Sequence, residues 1–87
     1  MHADKKHIIR LLNTSKGQIE GIIKMIEDDK YCIDISNQIL ASIAILKKAN
    51  IEILEAHLNH CVVNAATKEE RIEKMAEVSE ILKKVAK

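Results

Sequence analysis

The stretch EAHLNHCVV, residues 55–63, sets His57, His60 and Cys61 within five positions of an 87-residue chain that holds four histidines and two cysteines in all. Imidazole and thiol are the side chains that borderline and soft metal ions take as ligands. His57 and Cys61 stand at i and i+4, which on a helix puts both on one face a single turn apart. That spacing suits two ligands of one ion, and it equally suits an ordinary buried contact. His60 points about 100° away from Cys61 around the helix axis and reads as a structural or surface histidine. Two ligands on one turn cannot enclose an ion, so further donors must come from elsewhere.

Cys32 is the only other cysteine, 25 positions before His57. If one helix joins them, they lie about 37 Å apart and cannot meet within a chain. Between two antiparallel copies they can, because the start of one helix then lies beside the end of the other. Cys32 of one subunit would face His57 and Cys61 of its partner, giving two equivalent sites by two-fold symmetry. Two thiolates and one imidazole favour Cu(I), zinc or iron–sulfur chemistry over hard ions. Three ligands suit trigonal Cu(I), whereas Zn²⁺ normally requires a fourth donor or a water. His2 and His7, in an amino terminus expected to be frayed, are candidates for an extra nitrogen donor, which would shift the preference toward Ni(II) or Co(II).

Such a site needs long helices, and the sequence supplies them. Ile8, Leu12, Ile19, Ile22, Ile23 and Ile26 recur at helical steps, and Asp28 and Asp29 break the pattern and offer a cap for the next helix. From about Lys30 to Val63 there is neither glycine nor proline, a helix of roughly 50 Å. Thr67-Lys-Glu-Glu70 has the form of a capping box opening a third helix, with Met75, Val78, Leu82 and Val85 on one face. Residues 64–66 are the connector. Along the central helix, Cys32, Ile39, Leu46, Ile53 and His60 share one heptad position, and Ser36, Ile43, Asn50 and His57 another. Ile33, Leu40, Leu54 and Cys61 form an adjacent stripe. A helix this long and this apolar in so small a chain needs copies of the protein to cover it, and Asn50 within the seam favours a fixed register.

Composition agrees with an all-helical oligomer. There is no phenylalanine, tryptophan or proline, and Tyr31 is the one aromatic of its kind, so a sandwich or barrel is disfavoured. Residues 1–87 are expected to form a single domain. No apolar run approaches the roughly 18 residues of a membrane span, and no basic leader precedes an apolar segment. Cytosolic location with free thiols is therefore expected. The net charge of +1 is uninformative, but residues 1–16 carry Lys5, Lys6, Arg10 and Lys16 against Asp4 alone, a distribution suited to a solvated face or, repeated in an oligomer, to nucleic acid.

The residues GQIEGIIKMIEDDKYCIDISNQILASIAILKKANIEILEAHLNHCV, 17–62, resemble the CsoR/RcnR family of metal-sensing transcriptional repressors. The likeness extends over nearly the whole chain and includes the Tyr-Cys pair, the Gln38-Ile39 region and the His-x-x-x-Cys ending. It implies a three-helix subunit, an antiparallel dimer forming a four-helix bundle, and a dimer of dimers that binds operator DNA. In the copper-sensing branch the ligands are one cysteine, then a histidine and a cysteine from the other subunit, which match Cys32, His57 and Cys61. Nickel and cobalt sensors carry histidine at the position of Cys61 or recruit an amino-terminal nitrogen, for which His2 is the candidate. Formaldehyde sensors lack the second cysteine. Persulfide sensors keep both cysteines and lose the histidine, so a thiol sensor acting through Cys32 and Cys61 is a competing reading that the presence of His57 disfavours.

The resemblance also implies that Tyr31 and Glu77 link the liganding histidine to the third helix by hydrogen bonds. It implies DNA contacts on the first helix and the middle of the second, here Arg10, Lys16, Lys47 and Lys48, with Leu11 where some relatives have arginine. Lysine lacks the bidentate fork that reads guanine, so phosphate contacts and DNA shape would dominate. No helix-turn-helix or zinc-finger pattern occurs. An enzyme using the Cys–His pair as nucleophile and base is disfavoured, since nothing in the sequence offers an oxyanion hole or a glycine-rich loop. The expectation is a copper(I)-responsive repressor, released from operator DNA when Cu(I) binds.

Overall fold

The computed structural model describes residues 1–86, which form three helices and no strand: α1 Lys5–Glu27, α2 Cys32–Asn64 and α3 Lys68–Ala86. Asp4 starts α1, its carboxylate accepting from the backbone N–H groups of Lys6 at 3.1 Å and His7 at 3.4 Å. His7 therefore lies inside a capped helix, against the expectation of a frayed terminus.

Asp28 and Asp29 also differ from expectation. They close α1 and do not cap α2. Asp28 is the carboxy-terminal cap, and Asp29 adopts a φ of 52°, the left-handed conformation that usually falls to glycine and that aspartate tolerates. The Lys30 N–H then reaches back to the Met25 carbonyl at 3.0 Å, satisfying one of the orphaned carbonyls of the last turn. The N-cap of α2 is Tyr31, with no side-chain hydrogen bond, and Asp34 supplies the negative charge of the first turn.

The four-residue link folds α1 back along α2, and two polar contacts fix the pairing. His7 meets Glu52 at 2.9 Å, and the Ser15 and Ser42 hydroxyls meet at 2.7 Å. The positions run in opposite senses along the two helices, so α1 and α2 are antiparallel. On α2 the buried residues facing inward are Ser42, Ala49 and Leu54, with Ile35 and Ala56 half-buried. Positions 35, 42, 49 and 56 repeat every seven residues, and the small side chains at 42, 49 and 56 admit α1 closely. The larger seam remains uncovered: Ile39, Ile43 and Leu46 on α2 and Ile19 and Ile23 on α1 are each 41–52% exposed.

Because Ser15 and Ser42 are both buried, removing the Ser15 hydroxyl strands that of Ser42, whereas Ser15 in the reverse change keeps the backbone carbonyl of residue 42 as an acceptor at 3.4 Å. Ser15→Ala is expected to cost about 1–3 kcal/mol, and the double alanine variant less than the sum of the two single changes. Thermal unfolding of the three variants measures the difference.

α3 opens on Thr67, whose hydroxyl accepts from the Glu70 N–H at 3.0 Å, while the Glu70 carboxylate accepts from the Ala66 N–H at 3.2 Å. The reciprocal bond thus reaches one residue further back than a standard capping box. α3 packs on α2 through Val78 and does not touch α1. Val78 is buried as expected, but Met75 and Leu82 of the same face stay 49% and 40% exposed. Five buried apolar residues, Ile8, Ile22, Ala49, Leu54 and Val78, make up the core. The radius of gyration of 17.2 Å compares with about 12 Å for a compact chain of this length. This shape leaves apolar surface for another copy.

Candidate metal centre

His57 and Cys61 sit on the last turns of α2, both half-buried. The Cys61 Sγ lies 3.5 Å from His57 Nε2 and 3.9 Å from Nδ1. An ion bound at about 2.3 Å to sulfur and 2.0 Å to nitrogen, with an angle between tetrahedral and trigonal, holds its donors about 3.5–3.7 Å apart. The spacing suits a shared soft ion, but with both ring nitrogens within 3.9 Å of the sulfur the thiol flanks the ring, and the imidazole must turn to aim a lone pair at an ion the thiolate also holds.

The third donor is not nearby. Cys32, exposed, is the first residue of α2, some 25 residues or about 37 Å from His57 on an unbroken helix. Among the described residues no three histidine, cysteine or acidic side chains converge on one point. Tyr31 is 68% exposed at the same far end as Cys32. Glu77, on α3, pairs with Lys74 at 3.8 Å, and among the described residues no hydrogen bond joins it or Tyr31 to His57. Any link from Tyr31 to His57 requires a second subunit.

Sequence reasoning missed the surroundings of His60. The His2 ring stacks on it with centroids 3.6 Å apart and planes inclined by 17°. The Asn64 side-chain amide lies 3.4 Å from His60 Nδ1 and donates to the His60 carbonyl at 2.8 Å. His2 also stands 6.1 Å from the His57 ring. Desolvation, then repulsion from His60, the amino terminus and His57, push His2 below its ordinary pKa. The antiparallel hairpin explains the placement, since it returns the start of α1 to the end of α2. Met1, His2, Ile53, Leu54, His57 and Ile81 line an open pocket of about 350 Å³ here. Only the hairpin register, which no local signal encodes, could have revealed this from sequence.

Arg10, Lys16, Lys47 and Lys48 are all exposed. The pairing of residue 7 with 52 and of 15 with 42 sets Arg10 level with Lys47 and Lys48, while Lys16 lies about two turns further along.

Comparison with known proteins places the chain. Residues 4–84 match the family described as metal-sensitive transcriptional repressors. The chain is 36% identical over 84 residues to the copper-sensing transcriptional repressor CsoR of Bacillus subtilis strain 168, covering 97% of this chain and 83% of that protein. It is 43% identical over 61 residues to the copper-sensing transcriptional repressor RicR of Mycobacterium tuberculosis, covering 70% of this chain and 64% of that one. The crystal structure of CsoR with Cu(I) from Geobacillus thermodenitrificans NG80-2 aligns with a TM-score of 0.80 at 38% identity, over 94% of this chain and 85% of that chain. The nickel-responsive regulator InrS aligns at 0.79 over 98% and 96%, but at 24% identity, a likeness of fold. The relatives are transcriptional repressors and not enzymes, and the chain belongs to the CsoR-like family of metal-sensitive transcriptional repressors.

Proposed function

We propose that the chain is a cytosolic Cu(I)-responsive repressor that works as a homotetramer, a dimer of antiparallel dimers. The observation that carries this reading is a pair of soft donors, His57 and Cys61 at 3.5 Å on one turn, on a helix whose other cysteine lies at the opposite end. Cys32 of the partner subunit completes a two-sulfur, one-nitrogen set for which Cu(I) is the natural guest. The single domain of residues 1–87 carries both metal sensing and DNA binding, the latter through Arg10, Lys16, Lys47 and Lys48. Tyr31 and Glu77 act as outer partners of the liganding histidine once the subunits assemble. The names of the relatives support copper as the signal, and no described helix is long and apolar enough to cross a membrane.

In this scheme the apo tetramer holds operator DNA and the Cu(I)-loaded form holds it more weakly. Linkage then requires DNA to weaken Cu(I) binding by the same factor. Titrating Cu(I) into protein bound to its own promoter tests both directions; unchanged DNA affinity at full copper occupancy rules the scheme out.

A second reading, Ni(II) or Co(II) with His2 as an added nitrogen donor, draws on the 6.1 Å approach of His2 to His57. X-ray absorption of Cu(I)- and Ni(II)-loaded protein, with and without His2→Ala, separates the two. A three-coordinate copper spectrum with two sulfurs, unchanged by His2→Ala, is the expected result. Loss of the site in that variant favours nickel or cobalt.

A further inference from the structure

The contact between His7 and Glu52 stands apart from the other ion pairs of the described residues. Lys74–Glu77 and Lys83–Glu80 are exposed neighbours within α3, whereas His7 Nε2 and Glu52 Oε2 meet at 2.9 Å across two helices, their side chains only 38% and 33% exposed. Among the described residues it is one of two side-chain polar contacts between α1 and α2, the other being the buried serine pair. The serines hold the middle of the hairpin, where both helices are fixed by packing. His7 and Glu52 hold its open end, just where the two functional regions come together.

On α1, His7 is flanked by the exposed Lys5, Lys6 and Arg10, and Ile8 is buried against α2. On α2, Glu52 precedes His57 by five residues, about 7.5 Å along the axis. A hydrogen bond at this point ties the first turn of α1 to α2 about two turns beyond the serine pair, where Ile8 supplies the apolar contact. The bond is available to neutral His7, whose Nε2–H donates to the carboxylate, and to the imidazolium alike.

We infer that His7 and Glu52 are positioning residues that transmit movement of the metal-bearing end of α2 to the basic start of α1. This rests on the reading of the chain as a metal-responsive repressor and adds the route by which the signal leaves the site. A shift of α2 around His57 carries Glu52 with it, Glu52 carries His7, and the flanking cations change position relative to DNA. Cutting the contact leaves the ligands in place and disconnects them from the basic face.

The test compares wild type with His7→Leu, Glu52→Leu and His7→Gln, in the full chain, with Cu(I) as the probe. The His7→Gln side chain keeps an N–H donor within reach of Glu52; the two leucine variants have none. Copper stoichiometry and the X-ray absorption spectrum are expected to be unchanged in all three. Amide exchange at residues 5–10 changes on Cu(I) binding in wild type and His7→Gln and does not in the leucine variants. The copper-dependent loss of affinity for promoter DNA shrinks by roughly 2- to 30-fold in the leucine variants. Two variants from opposite sides guard against one failing to fold. Full wild-type coupling in a folded leucine variant overturns the inference and leaves the copper reading standing. Wild-type protein that shows no two-sulfur copper site overturns the copper reading and this inference with it.

Discussion

Cys32→Ala is expected to abolish the copper response while leaving operator binding by the apo protein intact. The variant retains His57 and Cys61, 3.5 Å apart, and so still offers two donors, but two donors leave Cu(I) open to solvent thiols. The loss in affinity should exceed the roughly 100-fold that removal of an outer-shell partner costs. Cys61→Ala gives the same outcome from the other end of the helix. The decisive result comes from mixing the two. A dimer with one Cys32→Ala and one Cys61→Ala subunit regenerates one intact site, from Cys32 of the second and His57 with Cys61 of the first. Equal, random re-association therefore recovers about a quarter of the wild-type copper, because half the dimers are mixed and each holds one of two sites. A site built within one chain recovers none. Copper bound per subunit, measured after unfolding and refolding the mixture, distinguishes the two; zero recovery from well-folded mixed dimers removes the intersubunit arrangement.

That Cys32 cannot meet His57 within one subunit was legible in the sequence because it follows from arithmetic. An uninterrupted helical stretch and a separation of 25 residues force Cys32 away from His57, whatever the tertiary detail. The three helices were legible for a similar reason, their periodic apolar residues being bounded by strong breaks. What escaped was carried by residues with little hydropathy or with ambiguous local preference. Ser42, Ala49 and Ala56 receive α1, but small side chains contribute little to an apolar stripe, so the larger seam of Ile39, Ile43 and Leu46 draws attention first. Asp28 and Asp29 suit a helix start by composition, yet the left-handed φ of 52° at Asp29 makes them a helix stop. The stacking of His2 on His60 and the contact of His7 with Glu52 join residues 58 and 45 positions apart and depend on the hairpin register alone.

The seam that α1 leaves uncovered yields the second large effect. Ile39, Ile43 and Leu46 remain 41%, 46% and 43% exposed, and with Ile19, Ile22, Ile23 and Ser42 they line an apolar groove of about 250 Å³. Burying an Ile or Leu side chain fully is worth about 1.5–3 kcal/mol, so covering the exposed half of each of these side chains with a partner copy contributes roughly 1 kcal/mol apiece. Leu46→Glu places a carboxylate in that contact without a cation to meet it, at a cost of several kcal/mol per site. Dissociation is expected, together with loss of helicity at micromolar concentration, because the subunit alone has too small a core to hold a 33-residue helix. Leu46→Met, which conserves volume, should assemble normally. Sedimentation and circular dichroism record both effects, and copper binding connects them to the first prediction. Leu46→Glu leaves Cys32, His57 and Cys61 untouched, yet dissociation must remove the two-sulfur copper site, since Cys32 of the same chain lies about 37 Å from His57 along the helix. A dissociated variant that still binds Cu(I) through two sulfurs breaks that dependence and returns the site to a single subunit.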